Sequence, residues 1–225
     1  MNTLKIKVCG MRDPENISGI VDALPDFLGF IFYPKSKRFV GFEPLPELLA
    51  AVSDSVQKVG VFVDETPEKV MEIVASWKLD VVQLHGNESP EYCQQIKNTG
   101  IIVFKAFSVD EQFDFEVLEA YSGVCDYFLF DTKGELPGGT GQKFNWKLLD
   151  NYSGHIPFFL SGGIGPEDVR AILSFQHSQL FGVDINSGFE IRASMKDVRK
   201  VREFIAEIRE SKFITQAQIF PTSGE

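Results

Sequence analysis

The chain has 225 residues, 44% hydrophobic and 24% charged, which is enough for one sizeable core in a single domain. Its formal net charge of −10 argues against a nucleic-acid partner, which needs a basic face to neutralise phosphates. No apolar run approaches the roughly 20 residues of a membrane span, and residues 1–10 carry no long apolar core of the secretory kind. Cys9, Cys93 and Cys125, odd in number and widely spaced, suggest neither a disulfide framework nor a metal cluster, so the expected location is the reducing cytoplasm.

Short β-branched and aromatic runs alternate with helical patterns along the whole chain. A strand over 4–8 precedes a helix over 15–24, and 27–31 precedes 45–53. The pairs 58–63 with 67–77 and 81–84 with 90–98 follow. Strands at 101–106, 127–130, 156–160 and 180–183 lead to helices at 113–121, 146–151, 166–175 and 196–210. Several helices open with a residue set before a first-turn proline: Asp13, Thr66, Ser89 and Gly165. Eight strand–helix units in this length predict parallel strands closed into a (β/α)8 barrel, with an open doubly wound sheet as the alternative. The barrel is expected over 1–212. Residues 213–225 show no strong pattern and are read as a C-terminal tail.

A barrel keeps its reacting groups at the C-terminal ends of its strands. Cys9-Gly10-Met11-Arg12 follows the first strand, "FYPKSKRFV" with Arg38 the second, and "HGNESP" from His85 the fourth. After the sixth strand come Asp131 and the glycine loop "TKGELPGGTGQ". "SGGIGPED" follows the seventh strand and "DINSGFE" from Asp184 the eighth. Side chains of a strand alternate faces, so Cys9 shares one face with Lys7 and Lys5, and Leu4, Ile6 and Val8 share the other. The apolar set belongs against the helices, which points Cys9 and the lysines into the barrel. The same count puts Asp131 with Leu129 and Tyr127, and Asp184 with Gly182 and Leu180. Cys9, His85, Asp131 and Asp184 then converge at one mouth.

Two loops suit a phosphate. Gly162 and Gly163 precede a helix near Pro166, and Ser187 and Gly188 precede a short helical stretch. Backbone N–H groups at glycine turns and helix starts bind anions, and the loops after the seventh and eighth strands are the usual place for this in barrels. Cys93 and Cys125 read as core. His155, His177, Lys35 and Lys37 read as solvated, and the 21 phenylalanines as packing around the barrel.

On the stretches "KVCGMR", "FYPKSKRFV", "VGVFVD", "VVQLHG", "FDTKGELPGGTGQKFNW", "LSGGIGPEDV" and "GVDINSGFE", in order over almost the whole chain, the sequence resembles the phosphoribosylanthranilate isomerase family of tryptophan biosynthesis. The resemblance implies a (β/α)8 barrel with no metal and no organic cofactor. It implies Cys9 as general base, Asp131 as general acid and Arg38 as partner of an anthranilate carboxylate. Beside these, His85 and Asp184 are read as further substrate contacts, the alternatives being that His85 holds its strand end and Asp184 its loop, and Gly162, Gly163, Ser187 and Gly188 are read as the phosphate site. The expected partner is a small phosphorylated substrate, with no nucleic acid or membrane, and the chain a monomer or homodimer. The loop after the sixth strand is expected to fold over the sugar phosphate. One departure stands out. Where the family has a Pro-Gly pair before "KD", this chain has Ala193 and Ser194; Thr132 replaces a residue that is often smaller. Two other readings stay open: another phosphosugar barrel, of the indole-glycerol-phosphate synthase or histidine-pathway isomerase type, and a phosphate-binding barrel without chemistry.

Overall fold

Eight runs with strand propensity become β1 (Lys5–Cys9), β2 (Phe27–Ile31), β3 (Gln57–Phe62), β4 (Val81–Leu84), β5 (Ile102–Val109), β6 (Tyr127–Thr132), β7 (Phe158–Leu160) and β8 (Leu180–Ile185). Each pairs in parallel with the next, and β8 pairs with β1, so the sheet closes as a barrel and the open-sheet alternative is excluded. The computed structural model describes residues 3–132 and 143–219, of which 211–219 as backbone alone. The glycine loop expected to fold over a ligand lies in 133–142, outside the described residues.

The connecting helices are α1 (Pro14–Val21), α2 (Pro46–Ala50), α3 (Pro67–Trp77) and α4 (Pro90–Lys97); α1, α3 and α4 start where the prolines predict, and α2 is shorter than the expected 45–53. Asp13, Thr66 and Ser89 each accept a hydrogen bond from the backbone N–H three residues on, at 2.9, 3.3 and 3.3 Å, satisfying donors that the first turn leaves orphaned. Gly165 has no side chain with which to cap. There the Asp168 carboxylate accepts from the Gly165 N–H at 2.7 Å, over a 3₁₀ turn, Pro166–Asp168, that precedes α5 (Val169–Ser174). The expected helices at 113–121 and 146–151 are 3₁₀ turns, Phe115–Tyr121 and Trp146–Asn151. Their caps Asp114 and Asn145 bond the N–H two residues on, which fits the tighter coil.

After β8 comes a 3₁₀ turn, Ser187–Phe189, and then an unforeseen hairpin, β9 (Glu190–Arg192) with β10 (Met195–Lys196). The last helix, α6 (Val198–Ile219), runs across the boundary expected at 213, through a stretch with no glycine or proline to stop it.

Two apolar layers follow from strand alternation. Leu4, Ile6 and Val8 join the outer layer between strands and helices. Inside the barrel, Phe27, Phe104 and Phe159 pack ring to ring with centroids 5.0–5.7 Å apart, beneath Cys9 and among Val59, Val81 and Leu129. The barrel floor is therefore closed and greasy, and polar groups are confined to the ends.

The departure in the loop after β8 has a structural signature. Ser194, where the resemblance implies glycine, sits at φ 63°, and its buried hydroxyl meets no hydrogen-bond partner among the described residues. Both features cost stability. Ser194→Gly should raise the unfolding free energy by about 1 kcal/mol, read as a higher urea midpoint at unchanged slope. A lower midpoint would show that the serine is not strained.

Candidate functional site

The C-terminal ends of the strands surround one cavity. Cys9, Arg38, His85, Asp131, Gly162, Gly163, Asp184 and Ser187 all line it. Gly188 does not. A Cβ there would meet the backbone carbonyl of Ile164, so this glycine lets the loops after β7 and β8 touch.

On one wall, register sets Lys7 of β1 beside Asp184 of β8, and the Lys7 ammonium donates to Asp184 Oδ2 at 2.9 Å with no solvent exposure. Burial works against that ammonium, but Asp184 and Cys9 outweigh it and hold the Lys7 pKa above its ordinary value. The second Asp184 oxygen, Oδ1, is buried and meets no donor among the described residues. Cys9 stands one pleat above Lys7. Room for both comes from Gly29 on β2, where a Cβ would lie 2.8 Å from Cys9 Sγ and 3.2 Å from Lys7 Nζ. A cation one pleat below a thiol favours the thiolate. Lys7 and Lys196 do pull the Cys9 pKa down, but burial is the larger effect and the thiol lies above its ordinary value.

On the opposite wall, Asp131 ends β6 facing inward, with Oδ1 fixed by the Thr132 N–H at 2.8 Å. His85 Nε2 lies 3.3 Å from Asp131 Oδ2, and Gln83 Nε2 lies 2.8 Å from His85 Nδ1. Gln83 thereby holds the imidazole with its Nε2 edge toward Asp131. Thr132 Oγ1 accepts from the Phe144 N–H at 3.1 Å, so the chain leaves and re-enters the barrel at one point. Gly162 presses onto this strand end at φ 85°. A Cβ there would lie 2.5 Å from the Thr132 nitrogen and 2.9 Å from Asp131 Oδ1. Gly163 follows at φ 64°.

Arg38 was expected to await a ligand carboxylate, and it already holds a protein one. Its Nε and Nη2 donate to Glu190 Oε1 and Oε2 at 2.8 and 2.7 Å, which raises the arginine pKa further. Glu190 also accepts from Lys196 Nζ at 2.7 Å. Burial disfavours the Glu190 carboxylate, yet Arg38 and Lys196 together bring its pKa below the ordinary value. Neither Glu190 nor Lys196 was legible as a site residue; only the "GFE" and "KD" fragments carried a signal. A further pair, Lys105 with Glu88 at 3.1 Å, lies on the outward face of β5. Glu88 accepts there from the N–H groups of Asp64 and Gly86, which ties down the loop that carries His85.

The remaining candidates fall outside the cavity. Lys35, Lys37 and His155 are exposed, as expected. His177 is not simply solvated. It is half-buried, stacked on Tyr152 and Phe175, and its Nδ1 accepts from the Gln179 N–H at 3.1 Å. Cys93 and Cys125 are buried in the outer layer. Among the described residues no group of His, Cys, Asp and Glu is arranged to hold a metal ion, and no helix is long and apolar enough to cross a membrane.

The family model described as N-(5'phosphoribosyl)anthranilate (PRA) isomerase matches residues 6–207. The N-(5'-phosphoribosyl)anthranilate isomerase of Parabacteroides distasonis is 49% identical over 205 residues, covering 90% of this chain and 92% of that protein. That of Phocaeicola vulgatus is 44% identical, covering 91% and 98%. Among solved structures, phosphoribosyl anthranilate isomerase from Thermotoga maritima superposes with a TM-score of 0.81 at 34% identity, over 92% of this chain and 99% of that one. Another such isomerase, solved in complex with reduced 1-(o-carboxyphenylamino)-1-deoxyribulose 5-phosphate, gives 0.78 at 32% identity over 92% and 99%.

The buried thiol gives a pH signature. Alkylation of Cys9 by iodoacetamide, followed by mass spectrometry, should accelerate with pH along a curve whose midpoint lies above the roughly 8.5 of a free thiol. Because the folded-state pKa is raised, the stability linked to this group is present at neutral pH and is lost as pH climbs through the folded value. A midpoint below that of a free thiol would overturn the dominance of burial.

Proposed function

This chain belongs to the N-(5'-phosphoribosyl)anthranilate isomerase family, and from that premise we propose that Cys9 and Asp131 perform the family's aldose–ketose isomerisation as base and acid. The reaction, a step of tryptophan biosynthesis, is an Amadori rearrangement in which an N-aryl aminoaldose becomes an aminoketose. Asp131 protonates the furanose ring oxygen, the C1′–O bond breaks, and a protonated imine forms at C1′. Cys9, as thiolate, removes the C2′ proton that this imine acidifies. The electrons of the C–H bond neutralise the imine nitrogen to give an enolamine, which then tautomerises to the ketose. The imine is its own electron sink, so no cofactor is called for.

The observation that carries this reading is that Cys9 and Asp131 face one cavity from β1 and β6, with β7 and β8 between them. An acid and a base on opposite sides of a sugar are what the two proton transfers need. Burial makes the Cys9 thiolate scarcer but more basic, while Lys7 and Lys196 oppose its loss of charge stabilisation. Asp184 Oδ1, without a donor, suits a sugar hydroxyl. His85 orients the acid, Arg38 takes the anthranilate carboxylate, and Gly162, Gly163 and Ser187 form the phosphate cradle, with Gly188 behind it letting the two loops touch. The ligand is a small phosphorylated molecule, and the protein a cytoplasmic monomer or homodimer. Indole-glycerol-phosphate synthase and histidine-pathway chemistry are disfavoured, because Cys9 stands where those enzymes need a lysine or an acid.

The direct test is the fluorescence decay of freshly made phosphoribosylanthranilate on adding the protein. Cys9→Ser and Asp131→Asn should each lower kcat by at least about 10²-fold with the fold intact. Asp131→Asn should still bind a product analogue within a few-fold of the parent. Near-normal turnover in either variant would remove that residue from the chemistry. Weakened analogue binding with partial activity would make Asp131 an anchor of its loop.

A further inference from the structure

Arg38 presents its guanidinium to Glu190 side-on, through Nε and Nη2. A guanidinium carries five N–H donors in a rigid fork. With the Nε edge occupied, the parallel pair at the far edge, one hydrogen each from Nη1 and Nη2, is left as the bidentate face, and Arg38 lines the cavity. The arginine stem lies close against the loop after β1. Gly10, at φ 74°, lies under it so closely that a Cβ would sit 2.7 Å from Arg38 Cδ.

Behind the arginine, Glu190 Oε1 receives three donors: Arg38 Nε at 2.8 Å, Lys196 Nζ at 2.7 Å and the Ser194 N–H at 3.1 Å. The Lys196 ammonium has no solvent exposure and also donates to Asn186 Oδ1 at 2.6 Å. Its backbone is held in turn by Asn16 of α1, which accepts from the Lys196 N–H and donates to its carbonyl, both at 2.9 Å. The three charges of this cluster, Arg38 and Lys196 positive and Glu190 negative, leave one positive charge at the cavity wall. The neighbouring cation, Lys7, does not add to it, because Asp184 balances it.

We infer that Glu190 and Lys196 are positioning residues. Glu190 turns the far edge of Arg38 to the cavity, and Lys196 restores the positive charge that Glu190 would otherwise cancel, so the subsite takes a ligand bearing one carboxylate and discriminates against its uncharged counterpart. The inference rests on the reading of Arg38 as the carboxylate partner. Without Lys196 the Arg38–Glu190 pair is neutral, and an incoming carboxylate would share one guanidinium with a second carboxylate, at like-charge distance. With Lys196 the ligand completes a balanced set of two cations and two anions.

The test compares two probes by titration calorimetry: reduced 1-(o-carboxyphenylamino)-1-deoxyribulose 5-phosphate and the same compound without its carboxyl group. The proteins are the parent, Lys196→Met, the double variant Glu190→Gln/Lys196→Met, and Arg38→Met. Lys196→Met should lose at least about tenfold in affinity for the carboxylated probe and under about threefold for the other. The double variant, back at one net positive charge and with the glutamine oxygen still able to accept from Arg38 Nε, should regain most of that loss. A structural role for Lys196 predicts otherwise: both probes weaken alike, or the double variant binds no better than the single, and either result overturns the inference. If Lys196→Met does not fold, the double variant alone decides, since it must keep the parent's preference for the carboxylated probe. If Arg38→Met retains that preference, the reading of Arg38 fails and this inference with it. If Arg38→Met loses the preference while Lys196→Met keeps it, only the inference fails.

Discussion

The mouth of this barrel depends on one ion pair, Lys7 with Asp184. Below it the barrel is filled by Phe27, Phe104 and Phe159, so the Lys7 ammonium has no solvent exposure and, among the described residues, Asp184 is its carboxylate partner. A buried ammonium without a partner is among the most expensive groups a core can hold, and removing one member of such a pair costs about 3–5 kcal/mol. The pair forms where β8 returns to β1, so the electrostatic requirement and the closing of the sheet are met at one place. Cys9, one pleat higher, inherits its surroundings from both. It is dry because the floor is apolar, and it stands beside a fixed cation because Lys7 cannot leave Asp184.

The same logic extends outward to the loops. Glu88 holds Lys105 and two backbone N–H groups and thereby fixes the turn that presents His85. Glu190 holds Arg38, Lys196 and the Ser194 N–H and thereby fixes the hairpin after β8. In both places a buried carboxylate gathers donors from more than one segment of the chain. Loops carry the polar groups of the site, and these carboxylates give them the rigidity that strands give to Cys9 and Asp131.

Close approach is the other device. Gly29 makes room for a thiol and an ammonium, Gly162 lies against Asp131 and Thr132, and Gly188 lets two loops touch. At each place a methyl group would push apart the elements that frame the cavity. Ser194 shows the converse, a side chain placed in a left-handed turn where glycine is the easier choice, tolerated because its N–H still reaches Glu190.

Much of this was readable from the sequence because it depends on local rules. Strand alternation alone turned Cys9, Asp131 and Asp184 inward. Prolines after Asp13, Thr66 and Ser89 marked helix starts that the caps confirm. The eightfold strand–helix order required parallel pairing, and position at strand ends singled out His85 and the glycine loops. What the tertiary structure decided was partnership. Lys7 and Asp184 are 177 residues apart, and Arg38 and Glu190 are 152 apart. A sequence gives each residue its charge and its face, but not the register that brings two faces together. For that reason Glu190, Lys196, Glu88 and Gln83 went unread, Arg38 looked like a free cation, and His177 looked like a loop residue before Tyr152 and Phe175 closed over it. The balance at Cys9 was hidden for the same cause. The neighbouring lysine was visible, but the burial that outweighs it exists only once eight strands have closed.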